Sequence, residues 1–158
     1  MNKYTELKKV KLTDEGLQLV YTQVINTEEV DIIRKMAETR KQVPHEDFAL
    51  LWSKLKFHLA LMTESEKPKS TEDKILEKFS VIGITWSGGF DTVRYTIYGT
   101  KRIGSKKLNL ATPLRLAEAD PDVYEHEDGL NALLADIQAE TEQYIEGKGK
   151  EVQLELAI

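Results

Sequence analysis

Alternation of apolar and polar residues in four separate runs is the feature that most constrains this fold. Alternation places successive side chains on opposite faces of a strand, and these runs are also rich in β-branched and aromatic residues. The runs cover residues 7–12, 17–25, 79–86 and 90–100. Turn-forming residues separate the two members of each pair, at 13–16 and at 87–89. The sequence therefore predicts two β-hairpins.

Two helices are predicted from apolar residues spaced three and four apart. The first begins near Pro44, and its stripe is Phe48, Leu51, Trp52, Leu55, Leu59 and Met62. The second begins near Asp128, and its stripe is Leu130, Leu133, Leu134, Ile137, Thr141 and Tyr144. A further strand is expected over residues 107–116 until Pro113 interrupts it. Residues 30–43 fit a helix and a strand equally well, and both interpretations stay open.

Together these elements predict an α+β fold, with an antiparallel sheet of five to six strands and two main helices packed on one face. The 158 residues are the length of a single domain, residues 1–158. The polar stretch 64–74, which contains Pro68, is the place for an internal boundary between halves 1–63 and 75–158.

Composition excludes several classes of function. The chain has no cysteine, so disulfides, thiolate zinc sites and cysteine nucleophiles are excluded. No apolar stretch approaches the roughly 20 residues of a membrane span, so we expect a cytoplasmic protein without a membrane partner. His45, His58 and His126 lack the spacing of zinc ligands. We therefore predict no metal, no cofactor and no catalytic residue, and a non-enzymatic role.

Residues 87–92 (SGGFDT) resemble the phosphate loop of the ATP pyrophosphatase family, a resemblance that implies adenylation chemistry. That chemistry needs a helix N-terminus after the loop, where free amides and the helix dipole bind phosphate. Residues 93–98 instead alternate and are β-branched or aromatic, apart from Arg94. The motif is therefore interpreted as a hairpin turn.

Charge is strongly segregated along the chain, although the net charge is only -5. Residues 92–117 carry six bases and no acid, whereas residues 118–158 carry twelve acids and two bases. The net charge therefore excludes no polyanion partner, since a basic window lies beside an acidic last quarter.

The basic window coincides with the second hairpin and with a predicted basic loop around Gly104, residues 101–107. Alternation places Val93, Tyr95 and Ile97 on the core face together with Ile82, Ile84 and Trp86 of the partner strand, and Arg94, Thr96 and Tyr98 on the opposite face. Cations around an exposed aromatic ring are typical of sequence-tolerant binding of single-stranded nucleic acid. The predicted nucleic-acid-binding residues are Arg94, Tyr98, Lys101, Arg102, Lys106 and Lys107. The alternative is that these lysines only keep a sheet edge soluble.

The acidic last quarter ends in an apolar tip whose predicted partner-binding residues are Gln153, Leu154, Leu156 and Ile158. It resembles the C-termini of bacterial single-stranded DNA-binding proteins, which recruit partner proteins. Residues 153–156 are also similar to the start of the sliding-clamp-binding peptide, but Ala157 and Ile158 depart from its end. A strand that closes the sheet explains the same residues equally well.

Five features occur together in this chain: residues 44–48 opening a Leu-rich helix, the Gly83 strand with its basic hairpin, residues 109–113, the acidic last helix and the Gln153–Leu154 tail. Together they resemble a group of small accessory proteins of tailed phages, encoded near recombination and replication genes. The resemblance implies a phage accessory role in the host cytoplasm, with a replication or recombination protein as partner.

The alternative is an anti-defence protein that binds a host defence protein or its nucleotide signal, and a third is a structural or assembly protein. A homodimer is compatible with all three.

Overall fold

The computed structural model describes residues 2–87, 94–113, 115–116 and 124–147. The strands are β1 (Asn2–Thr13), β2 (Gly16–Asn26), β3 (Asp31–Arg40), β4 (Phe79–Ser87), β5 (Arg94–Ile103), β6 (Lys106–Ala111) and β7 (Arg115–Leu116). The helices are α1 (Glu46–Ser53), α2 (Leu55–Met62) and α3 (Glu127–Ile145), and a 3-10 helix (Lys74–Lys78) precedes β4.

The strands form an antiparallel sheet in the order β3–β2–β1–β4–β5–β6, with β7 paired to β5. Both predicted hairpins are present, as β1–β2 and as β4–β5. Pairing of Lys9 with Thr85 and of Lys11 with Gly83 joins the two hairpins, so both halves of the chain contribute to the same sheet. The α+β prediction, with its antiparallel sheet and two main helices, is confirmed.

The open question over residues 30–43 is resolved as a strand. β3 pairs with β2 along its whole length, from Asp31 opposite Asn26 to Arg40 opposite Leu17. The apolar residues that suited a helix are mostly exposed on this edge strand, and only Met36 packs against the core. Tertiary pairing with β2 therefore decided between two patterns that the sequence left equal.

The segment predicted as a basic loop, residues 101–107, is mostly strand. Lys101, Arg102 and Ile103 complete β5, and the turn consists of Gly104 and Ser105. Gly104 has a φ of 61°, which glycine adopts at little cost. The following strand, β6, ends at Ala111, and hydrogen bonding to β5 extends to Thr112, just before Pro113, where Thr112 Oγ1 accepts from the Ile97 N–H at 2.9 Å.

The first predicted helix is divided at Lys54 into α1 and α2. His45 is its N-cap, and Nδ1 of that ring accepts a hydrogen bond from the Asp47 N–H at 3.1 Å. Phe48, Trp52, Leu55 and Leu59 of the predicted stripe are buried. Nε1 of Trp52 donates to the Val81 carbonyl at 3.1 Å, which ties α1 to β4.

α3 begins one residue before its predicted start, and all of its predicted stripe is buried. Its C-terminal end is held by Arg40, whose Nη1 donates to the Tyr144 carbonyl at 3.0 Å and the Ile145 carbonyl at 2.6 Å. The Tyr144 hydroxyl donates in return to the Gln42 carbonyl at 2.5 Å. The two bonds from Arg40 satisfy carbonyls that a helix leaves free at its end.

The helices cover one face of the sheet and share a hydrophobic core with it. The sheet contributes Leu7, Val10, Leu17, Leu19, Tyr21, Phe79, Val81, Ile84, Trp86, Tyr95 and Ile97. A bulge between Val81 and Gly83 changes the alternation, so Val81 takes the core position that the pattern assigned to Ile82. The other face, which we call the open face, carries the residues that alternate with this core set.

Candidate nucleic-acid interface

The predicted nucleic-acid-binding residues all lie on the β5–β6 hairpin, but they divide between its two faces. Arg94, Tyr98 and Arg102 alternate with the buried Tyr95 and Ile97, and therefore lie on the open face. Lys107 pairs directly with Arg102, which places it on the open face as well. Four of the six predicted residues are thus brought together on one surface.

Lys101 faces the helices and is engaged within the protein. Its ammonium lies 3.0 Å from a Glu66 carboxylate oxygen and 3.3 Å from the Ser65 carbonyl oxygen. It also lies 5.7 Å from the centre of the Phe79 ring, and the side chain is only 14% exposed. Hydrogen bonds from Lys78 first, and then from Lys101, hold the pKa of Glu66 below its usual range. Lys101 is therefore a structural cation outside the open face.

Lys106 lies at the end of the hairpin on the helix side. It pairs with Ile103 across the turn, and both side chains are exposed. Lys106 is therefore close to the open-face cations in the sequence, but its side chain lies on the other side of the strand.

Tyr98 has an unusual position on the open face because its cross-strand neighbour is Gly83. A Cβ placed on Gly83 would lie 2.4 Å from Oη and 2.5 Å from Cζ of Tyr98, so the ring occupies the space above that glycine. The ring is half-buried, and burial raises the pKa of the Tyr98 hydroxyl. A ring held against the backbone in this way has little conformational freedom left to lose when a ligand binds.

Cations that sequence reasoning missed extend this surface across the sheet. Lys11 lies opposite Gly83, in the same cross-strand row as Tyr98, and Lys9 lies opposite Thr85 in the next row. Lys35 of β3 shares this face, because it pairs with Thr22 on the side away from buried Tyr21. Alternation of Lys9 and Lys11 about Val10 was visible in the sequence, but their contact with the second hairpin was not.

Acidic residues are few on the open face of the described chain. The open-face cations are Lys9, Lys11, Lys35, Arg94, Arg102 and Lys107. The acids that alternate onto the same face are Glu6, whose carboxylate is 3.6 Å from the ammonium of Lys8, and Asp31 at the start of β3. By contrast, α3 on the covered face contains acids and no Lys or Arg. The open face and α3 thus carry opposite charge.

A separate cavity of about 580 Å³ lies between α1, α2 and the start of α3. Its lining includes the acids Glu125, Asp128 and Asp136 with the single cation Lys54, which disfavours a phosphate-bearing ligand. His58 borders it, with Nδ1 2.7 Å from the Tyr124 hydroxyl oxygen. Burial first, and then the charge of His126, lower the pKa of His58 to about 4.

His58 is therefore a packed, hydrogen-bonded side chain. Across the part of the chain that the structure describes, no three His, Asp or Glu residues are grouped so that they could hold a metal ion. Within the same part, no helix is long and apolar enough to cross a membrane.

The phosphate-loop-like motif joins two antiparallel strands, because β4 ends at Ser87 and β5 begins at Arg94. The element after the motif is therefore a strand, as predicted, and not the helix that phosphate binding needs. Residues 88–92 of the motif lie outside the described residues, as does Val93. The partner-binding residues predicted in the tail, Gln153, Leu154, Leu156 and Ile158, also lie outside them.

Comparison with known proteins found no matching family model, no matching curated protein and no matching solved structure.

Proposed function

We propose that this protein binds single-stranded nucleic acid on the open face of its sheet. The observation that carries the proposal is the set of cations on that face, drawn from β1, β3, β5 and β6, with Tyr98 among them. Lys and Arg side chains neutralise phosphates and release counterions, which supplies most of the affinity for a nucleic-acid backbone.

The spacing of these groups suits an extended strand. Arg94 and Arg102 lie four residues to either side of Tyr98 on β5, so each is about 14 Å from it along the strand. Lys11 lies two strands away in the same row as Tyr98, at about 10 Å. A single strand crossing this face meets cations on both sides of a ring on which a base can stack.

The competing explanation is that the lysines only keep a sheet edge soluble. This does not explain the lysines of β1. Lysines that protect an edge lie on edge strands. β1 is an inner strand that pairs with β2 on one side and β4 on the other, yet it carries Lys9 and Lys11 on the open face. Cations on an inner strand favour a bound anion.

Fluorescence anisotropy with a labelled oligothymidine of about 20 nucleotides tests the proposal, with the salt concentration varied. If all six open-face cations contact phosphate, the slope of log affinity against log salt is about -4, since each contact to a single strand contributes about -0.7. Lys11→Glu combined with Arg102→Glu is expected to abolish most of the binding at moderate salt. Tyr98→Ala is expected to weaken it about tenfold, and Tyr98→Phe to preserve it.

Lys54→Glu is the matched control, because Lys54 is an exposed cation on the covered side of the sheet. It makes the same change in net charge as Arg102→Glu alone and is expected to leave binding nearly intact. Equal losses for Lys54→Glu and Arg102→Glu, or no binding at low salt, would contradict the proposal. Stronger binding of a duplex of equal length, unaffected by Tyr98→Ala, would contradict its single-strand part.

We further propose that the protein acts as a phage accessory protein, in which the acidic tail contacts a replication or recombination protein. Sequence resemblance supports this role, and the acidic α3 on the face opposite the cations leaves the open face uncovered by that helix. Deleting residues 151–158 is expected to leave oligonucleotide affinity unchanged or raised, and to remove capture of the partner protein. A large loss of oligonucleotide affinity on deletion would contradict this division of roles.

A further inference from the structure

The outer edge of β3 exposes an apolar segment at the end of the sheet. Ile33 is 62% exposed, Val30 61% and Ile32 40%. β3 pairs with β2 on its other side, and among the described residues no strand covers its outer edge. Unpaired backbone groups beside apolar side chains make such an edge a template for another strand.

The charged residues around Ile33 on one copy of the chain are complementary to the same residues on a second copy. Asp31, Ile33 and Lys35 share the open face, because side chains alternate along β3. If two copies of β3 pair in antiparallel fashion with Ile33 opposite Ile33, Asp31 of each copy lies opposite Lys35 of the other. Both charged pairs are then directly opposite, at the 4.5–5.5 Å Cβ separation of a cross-strand pair.

We propose that this chain forms a two-fold symmetric dimer through β3, with the strand pairing centred on Ile33. The other face of the strand suits the same register, because Ile32 lies opposite Arg34 of the second copy and the aliphatic part of Arg34 covers it. A two-fold interface uses the same patch on both copies, which is what a self-complementary segment provides.

Dimerisation at this edge joins the two sheets side by side. The open faces then continue into one another, with Lys35 and the other cations of each copy on the same side. The strand pairing itself needs no nucleic acid, and Lys35 is the one dimer residue that is also among the open-face cations.

Sedimentation velocity of the full chain from about 5 to about 300 µM tests the proposal. The range extends to high concentration because pairing of two edge strands makes a small interface, and small interfaces are typically weak. Asp31→Lys places lysines opposite each other, and Lys35→Asp places aspartates opposite each other. Each variant alone is expected to weaken the dimer about tenfold or more. An equimolar mixture of the two variants is expected to form a heterodimer, and the double variant is expected to restore the homodimer.

Leu50→Lys is the matched control, because Leu50 is 64% exposed but lies on α1. It is expected to leave dimerisation unchanged, and Ile33→Lys is expected to abolish it. All these positions are exposed, so circular dichroism is expected to show unchanged folding. A wild-type chain that stays monomeric at the highest concentration would overturn the proposal, as would a dimer that tolerates both single charge changes or is not recovered in the mixture.

Discussion

The ring of Tyr98 occupies the space above Gly83, where a side chain on residue 83 would stand 2.4 Å from its hydroxyl oxygen. Gly83→Ala is therefore expected to displace the ring, which can move because it is the far end of a side chain. The expected result is weaker oligonucleotide binding, similar to that of Tyr98→Ala, with a loss in free energy of unfolding of only about 1 kcal/mol. Anisotropy and urea unfolding measure the two effects.

Gly99 provides the contrast, because a Cβ there would lie 2.1 Å from the Ser80 carbonyl oxygen and 2.9 Å from Cδ2 of Leu59. Backbone cannot move aside as a side chain can. Gly99→Ala is expected to cost about 3 kcal/mol of unfolding free energy, more than Gly83→Ala. Equal stability of the two variants in urea would contradict this account of the two glycines.

Lys101 and Arg102 are adjacent in sequence but are expected to behave differently. Arg102→Met removes an open-face cation, so it is expected to lower oligonucleotide affinity and to reduce the magnitude of the salt slope by about 0.7. Lys101→Met removes a cation that is bound to Glu66, and is expected to change affinity less than about twofold. If Lys101→Met lowered the affinity as much as Arg102→Met, the assignment of faces would be wrong.

Arg40 joins the end of β3 to the end of α3 through the Tyr144 and Ile145 carbonyls. Arg40→Met keeps most of the aliphatic packing but leaves these acceptors and Glu38 without their donor. We expect a loss of about 1–3 kcal/mol in the free energy of unfolding. Lys41→Met, at the exposed next residue, is expected to change it by less than about 0.5 kcal/mol.

Acid is expected to destabilise the fold through His58. Its pKa is lowered from an ordinary value of 6.5 to about 4 in the folded protein, so the unfolded chain binds the proton more tightly. The free energy of unfolding is therefore highest above pH 6.5, and falls as the pH decreases from 6.5 to 4, by up to about 3 kcal/mol. Urea unfolding at several pH values measures this loss.

His58→Gln is the comparison for that experiment, because it removes the titration and keeps a polar side chain. Its free energy of unfolding is expected to be lower at pH 7 but to fall less between pH 6.5 and 4. Parallel curves for the variant and the wild type would assign the acid sensitivity to other groups.

Most strands and both helical stripes were predictable because alternation and helical spacing are local. Tyr95 and Ile97 are buried and Arg94 is exposed, as the pattern around them indicated. The bulge at Val81–Gly83 was not predictable, since it depends on how β4 meets β5. For the same reason the sequence assigned Ile82 to the core in place of Val81.

The candidate site was predicted in part. Arg94, Tyr98, Arg102 and Lys107 form the expected surface, and the alternation of β5 already separated Lys101 from it. Residues 101–107 were predicted as a loop, so the alternation of β5 was not applied to Lys101 and Arg102. Lys9 and Lys11 were missed because β1 and β4 are more than 60 residues apart in the chain, and nothing local specifies their pairing.

The sequence by itself determined the class of fold, the hairpins and the charge of the segment that forms β5 and β6. Those properties depend on neighbours within a few positions of one another, where side-chain periodicity and turn residues act directly. The tertiary structure decided which cations meet, since the order of strands follows from burying one apolar face against the helices. It placed Lys11 beside Gly83, in the same cross-strand row as Tyr98, and it turned Lys101 toward Glu66, because only the assembled sheet brings distant residues into contact.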